Sequence, residues 1–165
     1  MKFESTRFGV IDVAEDEVVY FRHGIPGFED CRRFTLIATD GSSPFRFLQS
    51  LDDPDLTFIV TEPLWFRPDY RVQVREEDLK KIGAGSAGDV AVYVVVTVPR
   101  NPEEMTANLL APILINTRTR EAMQHVQAEG PYRTRHRIRD ELARCESPGR
   151  PGFEASEGVL LQQVV

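Results

Sequence analysis

The sequence predicts a mainly β fold: a compact antiparallel β-barrel-like domain with one or two short helices and an extended C-terminal tail. Three observations carry this. Short apolar segments with two-residue alternation recur along most of the chain. Gly, Pro and Asp separate them at close spacing. Helix-period patterns are scarce, and nothing alternates strand with helix as a parallel sheet requires.

The elements follow in order. The apolar runs RFGVIDV and EVVYF flank the acidic turn Ala14–Glu17 and read as a hairpin. RFTLIA (Arg33–Ala38) is a third strand, closed by the turn signal TDGSSP. FRFLQS (Phe45–Ser50) is a fourth, and LTFIV (Leu56–Val60) a fifth, reached through DDPD. YRVQV (Tyr70–Val74) alternates cleanly. DVAVYVVVTV (Asp89–Val98) is the strongest strand, and its continuous valine content predicts burial on both faces. APILIN (Ala111–Asn116) is another. TREAMQHVQAEG fits either a helix or a strand paired with APILIN. The clearest helix is Arg75–Gly83, with acids first, lysines last and a glycine at its end. A second short helix is predicted over Asp140–Cys145, capped by Asp140 and ended before Pro148.

These elements divide the chain into a barrel domain, residues 1–139, and a segment of 140–165 holding the short helix, a linker and an apolar tail. The linker ESPGRPGFEASEG is rich in Pro, Gly, Ser and Glu. The tail VLLQQVV is apolar. It must pack on the barrel, bind another chain or lie exposed. The tetrapeptide PGFE occurs twice, inside GIPGFE and again at 151–154. The second copy lacks flanking strands and reads as coincidence.

Composition narrows the function classes. No apolar run approaches the ~20 residues that cross a bilayer. The N-terminus lacks an apolar signal core, so a cytoplasmic location is expected. Cys31 and Cys145 share no motif and are expected as free thiols. The net charge of -6 disfavours a general nucleic-acid binder and suits a partner with a basic face.

Motifs for chemistry fail on context. GAGSAGDV follows a helix and precedes a strand, the reverse of a phosphate loop. DDPD lacks the further ligands of a calcium loop and reads as an Asx turn. His23, His125 and His136 stand at no metal-ligand spacing. Cys31 with His23 is a nucleophile–base pair in principle, without a local signature. No enzyme activity, cofactor or metal is expected. YRTRHRIR (Tyr132–Arg139) is the one basic cluster; as a strand it places Arg133, Arg135, Arg137 and Arg139 on one face. This face gives the alternative function, a small β-barrel RNA-binding regulator. The aromatics of PLWFRPDY, braced by prolines, plug a barrel end or anchor a partner.

Several stretches together resemble one family: TRFGVIDV, FRHGIPGFED, FRFLQSLDDPDLTFIV, PDY, MTANLLAPILIN and YRTRHRI, over residues 1–139. The resemblance is to the flagellar assembly factor FliW family. It implies a β-barrel-like domain without enzyme activity and a partner switch. Such proteins bind flagellin. They also bind CsrA, an RNA-binding translational repressor of flagellin synthesis, and antagonise it allosterically, away from its RNA surface. Flagellin and CsrA are therefore the implied partners, with no direct nucleic acid and no membrane. Among positions matching the family's loops, Phe28, Gln49, Phe66, Tyr70, Asn108 and Leu109 are assigned to partner contact. Gly24, Pro26, Gly27 and Thr106 are assigned to loop structure. The apolar tail is a candidate competitor that occupies a partner groove in cis.

Overall fold

The computed structural model describes residues 1–39 and 41–145, and the backbone of 160–163. The linker, with the second PGFE inside it, lies outside these residues. The strands are β1 (Lys2–Ser5), β2 (Gly9–Asp12), β3 (Val18–Phe21), β4 (Arg33–Ile37), β5 (Phe45–Ser50), β6 (Thr57–Thr61) and β7 (Arg71–Val74). Helix α1 (Glu76–Lys81) follows, then β8 (Val90–Thr97), β9 (Thr106–Ala107), β10 (Ile113–Asn116), β11 (Glu121–Gln124) and β12 (His136–Arg137). Helix α2 (Ile138–Cys145) and β13 (Leu160–Gln163) complete the order.

Strands β3, β4, β5, β6, β8, β10 and β11 close into a barrel, because β10 pairs with both β11 and β8. The pairings are antiparallel except β11 with β3, which is parallel. Closure leaves these strands no free edge for another chain to pair with. Each contributes to the interior, through Val19, Phe34, Leu48, Val60, Tyr93, Ile113 and Ala122. Phe21 and Phe34 meet edge to face there, with ring centroids 5.1 Å apart.

The valine-rich strand is buried on both faces, as its composition predicts. Tyr93 points into the barrel, whereas Val92, Val94 and Val96 point outward into a second core. That outer layer is built from Phe66, Tyr70, Val72, Val74, Leu79 and Ile82, with Leu109 and Ile138. Strand β7 and both helices therefore lie over the outside of β8 and β10. Burying apolar area on two sides of one strand gives a 165-residue chain a larger core than a bare barrel has.

Two expectations change, and one open alternative is decided. The first hairpin joins β1 to β2, not β2 to β3. Strand β3 instead pairs with β4 and β11, because Val19 and Phe21 belong to the barrel interior while β2 has no inward apolar pair to offer. The ambiguous segment is a strand, with Leu114 opposite Met123. The basic cluster is not one strand: only His136 and Arg137 pair, and α2 begins at Ile138, whose side chain is drawn into the outer core. The boundary placed between 139 and 140 thus cuts through α2, a helix packed on the barrel.

The Asx turn in DDPD is present, with the Asp55 N–H donating to Asp53 Oδ1 at 2.9 Å. Among the described residues, no helix is long and apolar enough to cross a membrane.

Candidate functional site: two loop clusters on one barrel

The positions singled out in the sequence fall into two clusters. The first surrounds the turn between β3 and β4. Ile25 and Phe28 form an isolated bridge, with the Phe28 N–H donating to the Ile25 carbonyl at 2.6 Å. The turn needs two residues at positive φ, Gly24 at 69° and Gly27 at 89°. The Gly27 N–H donates to Glu29 Oε1 at 3.1 Å. Pro26 is exposed beside it. Phe28 is 41% exposed, and its ring meets Phe58 edge to face at 5.3 Å. The ring is thus braced on Phe58 while part of the side chain stays open to solvent.

The two glycines differ in what surrounds them. A Cβ on Gly24 would sit 2.6 Å from the Glu29 backbone, whereas one on Gly27 meets nothing within 4 Å. Gly27→Ala is expected to cost about 1–2 kcal/mol through its left-handed backbone alone. Gly24→Ala must also displace main chain, so its loss in urea unfolding should exceed that of Gly27→Ala. Equal losses would show that the turn yields freely.

Gln49 belongs to β5 and lies inside the protein, against Ser5 of β1 and Thr57 of β6. It is fully buried. Its Oε1 accepts from Ser5 Oγ at 2.8 Å and Thr57 Oγ1 at 2.6 Å. Its Nε2 donates to the Ser50 and Leu56 carbonyls at 2.9 and 3.2 Å.

The second cluster lies at the outer layer, where PDY, TANLL and α2 meet. Phe66, Tyr70 and Leu109 are buried there. Tyr70 Oη donates to the Leu109 carbonyl at 2.6 Å and accepts from Gln127 Nε2 at 3.2 Å. Burial pushes the Tyr70 phenol well above its ordinary range, so it stays a neutral donor. Asn108 is half-buried, and its Oδ1 accepts the Ala111 N–H at 3.1 Å, shaping the loop. Thr106 pairs within β9, opposite Arg137 and Thr97.

Four residues assigned to partner contact are therefore reassigned. Gln49, Phe66, Tyr70 and Leu109 present no accessible side chain here, since each fills a core or satisfies buried main chain. Of the six assigned to contact, Phe28 is the one that is exposed, and Asn108 is partly accessible.

The structure adds a charge cluster that the sequence did not disclose. Arg67 and Glu141, both nearly buried, pair at 2.8 Å. Glu141 also receives Arg144 Nη1 and His136 Nδ1, each at 3.0 Å. The Arg133 N–H donates to His136 Nε2 at 2.8 Å, so the imidazole carries its proton on Nδ1 and donates it to Glu141. Arg67 stacks over Tyr132, 5.2 Å from the ring. Burial alone raises the Glu141 carboxyl, but the His136 hydrogen bond and the Arg67 charge outweigh it and hold the group below the usual carboxylate range. For Arg67, burial opposes the charge, and Glu141 more than restores it. Both groups are held charged, which suits an electrostatic clamp and not proton transfer near neutrality.

Around this pair opens a recess of about 530 Å³, lined by Arg133, Arg135 and Arg144 among others. Arg137, which also lines the recess, and Arg139 share Glu104, at 3.2 and 2.9 Å. Of the expected row of four arginines, Arg133, Arg135 and Arg137 line this recess, and Arg139 lies on α2. Arg67 was missed because one arginine between aromatics carries no pattern. Glu141 was missed because it sits on an exposed-looking helix. Cys31 and His23 share no hydrogen bond among the described residues, and both cysteines are free thiols.

The sequence model described as FliW protein matches residues 2–138. The chain belongs to the FliW family. A flagellar assembly factor FliW of Caldanaerobacter subterraneus subsp. tengcongensis is 37% identical over 148 residues, which cover 89% of this chain and 99% of that protein. The FliW of Heliobacterium modesticaldum is 38% identical over 152 residues, covering 92% and 99%. A crystal structure of the flagellar assembly factor FliW superposes with a TM-score of 0.79 at 35% identity, covering 84% of this chain and 96% of that one. The match includes the first loop cluster and the PDY and TANLL parts of the second, and it ends at residue 138, where α2 starts.

Proposed function

We propose that this chain is a non-enzymatic partner switch of flagellar assembly in the cytoplasm, binding flagellin and binding CsrA, and thereby antagonising CsrA repression of flagellin synthesis. Family membership across the whole barrel is the observation that carries this reading, since the relatives are named flagellar assembly factors. Electrostatics supports it. A net charge of -6 speeds encounter with a basic RNA-binding protein and opposes RNA on the same surface. Exposed Phe28, braced by Phe58, has the form of an interface anchor: a rigid aromatic at a fixed turn.

Titration calorimetry with purified flagellin and purified CsrA tests the proposal, with flagellin expected to displace CsrA. Absence of heat with both partners ends it. Phe28→Ala should weaken at least one of the two complexes about tenfold, or ~1.4 kcal/mol. Unchanged affinity for both would remove Phe28 from the contact surface. The RNA-binding alternative has three of its four arginines around one recess, with Arg137 and Arg139 paired to Glu104. A salt-dependent gel shift with the chain alone would favour it.

A further inference from the structure

Strand β7 belongs to no part of the barrel sheet. Among the described residues its one strand partner is β13, the segment Leu160–Gln163, which runs parallel to it with Leu161 opposite Val72 and Gln163 opposite Val74. In an extended strand, one residue's N–H and C=O point to one side and the next residue's to the other. The β7 side carrying Arg71 and Gln73 is held by side chains of the body. The Arg71 N–H donates to Tyr132 Oη at 3.2 Å, and the Gln73 N–H to Gln127 Oε1 at 3.1 Å. The Gln73 carbonyl accepts from His125 Nε2 at 2.7 Å. The opposite side, carrying the main-chain groups of Val72 and Val74, is therefore the one that faces β13.

We propose that the β7 edge is a strand-accepting site, and that this chain closes it with its own C-terminal segment. The body prepares the edge. Three polar side chains fix the far side of β7, and Val72 and Val74 anchor it in the outer core. A preorganised strand with one free ladder is the requirement for strand addition. The site takes an extended segment, parallel to β7, paired through main chain. Tethering through residues 146–159 gives the chain's own segment a local concentration of roughly millimolar order. A partner strand must displace it, so the tail sets a threshold for access to this edge. The inference rests on the β7 pairing and is independent of which partners the barrel binds.

Register identifies the test. With Val72 and Val74 facing the tail, Leu160 and Gln162 are the tail residues whose main-chain groups point toward β7, and the Gln162 N–H and C=O lie between Val72 and Val74. Gln162→Pro removes that donor and leaves the chain otherwise whole. Amide hydrogen exchange on the full chain and on Gln162→Pro should show Val72 and Val74 exchanging at least tenfold faster in the variant, with Gln73 unchanged. Equal exchange at Val72 and Val74 overturns the proposal. In a second arm, a synthetic peptide of residues 157–165 is added to the chain truncated after Cys145 and to the full chain. Protection of Val72 and Val74 should return in the truncated chain at a peptide concentration at least tenfold below that needed to exchange into the full chain. Equal response of both chains, or of neither, counts against the site. Protection that rises with protein concentration alongside a sedimenting dimer would assign the strand to a second copy and overturn the cis arrangement.

Discussion

Arg67→Met is expected to lower the unfolding free energy by about 3–5 kcal/mol, because it strands a charged Glu141 in a nearly closed site. Methionine keeps much of the stem volume, so packing against Tyr132 is largely retained and the loss reports the charge. Arg144 remains at 3.0 Å, which places the loss toward the lower end of that range. Urea unfolding at neutral pH is the measurement. The double variant Arg67→Met, Glu141→Leu should recover part of the loss, since no carboxylate is then left unpaired. A single-variant loss under about 1 kcal/mol would make the pair equivalent to a surface ion pair.

The same pair sets a pH signature. Glu141 has its folded value depressed, so its contribution is fully present above the unfolded value near ~4.3 and is lost as pH falls through the folded value. Asp52 behaves alike: burial raises it, but the Arg33 and Arg32 N–H groups and the Arg33 guanidinium together lower it. Acid unfolding of the native chain therefore draws on both carboxylates. In Arg67→Met the Glu141 contribution shrinks, and the fall in stability below about pH 4 should become shallower.

The barrel was legible because period-two alternation and turn residues are local signals. Strand β8 announced its double burial through valines alone, and α1 its ends through charge order and Gly83. What was illegible depends on partners distant in sequence. Whether β2 pairs with β1 or with β3 is decided by which strand supplies inward residues to a closed barrel. The arginines of 133–139 alternate as a strand would, yet Ile138 takes the chain into helix because the outer core needs it. The loop residues matched a family pattern, but a family pattern does not separate a residue that touches a partner from one that holds the loop. Tyr70 and Leu109 illustrate this: the hydroxyl of one satisfies the carbonyl of the other, 39 positions away. Such pairs leave no periodic trace in a single sequence.

Gln49→Leu should cost roughly 2–4 kcal/mol, because it takes the acceptor from the Ser5 and Thr57 hydroxyls at about 1–3 kcal/mol each, while the Leu56 carbonyl keeps the Ser50 N–H. Leucine fills similar space, so little of that loss is cavity. The amide joins four elements of chain: Ser5 at the end of β1, Ser50 after it in β5, Thr57 in β6, and the Leu56 carbonyl in the loop between. Gln49→Glu separates the two halves of the network. The carboxylate keeps the bonds from Ser5 and Thr57 but loses both donors and faces carbonyl oxygens in a buried site. It should titrate upward and make the variant relatively more stable toward acid pH, a trend opposite to that of Glu141. If Gln49 instead touched a partner, Gln49→Leu would change affinity while leaving unfolding near native. The buried network requires the reverse: a lowered urea midpoint, and an affinity for flagellin and CsrA that matches the native chain once corrected for the folded fraction. Phe28→Ala inverts both readouts, with affinity reduced and the midpoint nearly held. Measuring the two variants side by side therefore tells the residue that builds the loop from the residue that the loop presents.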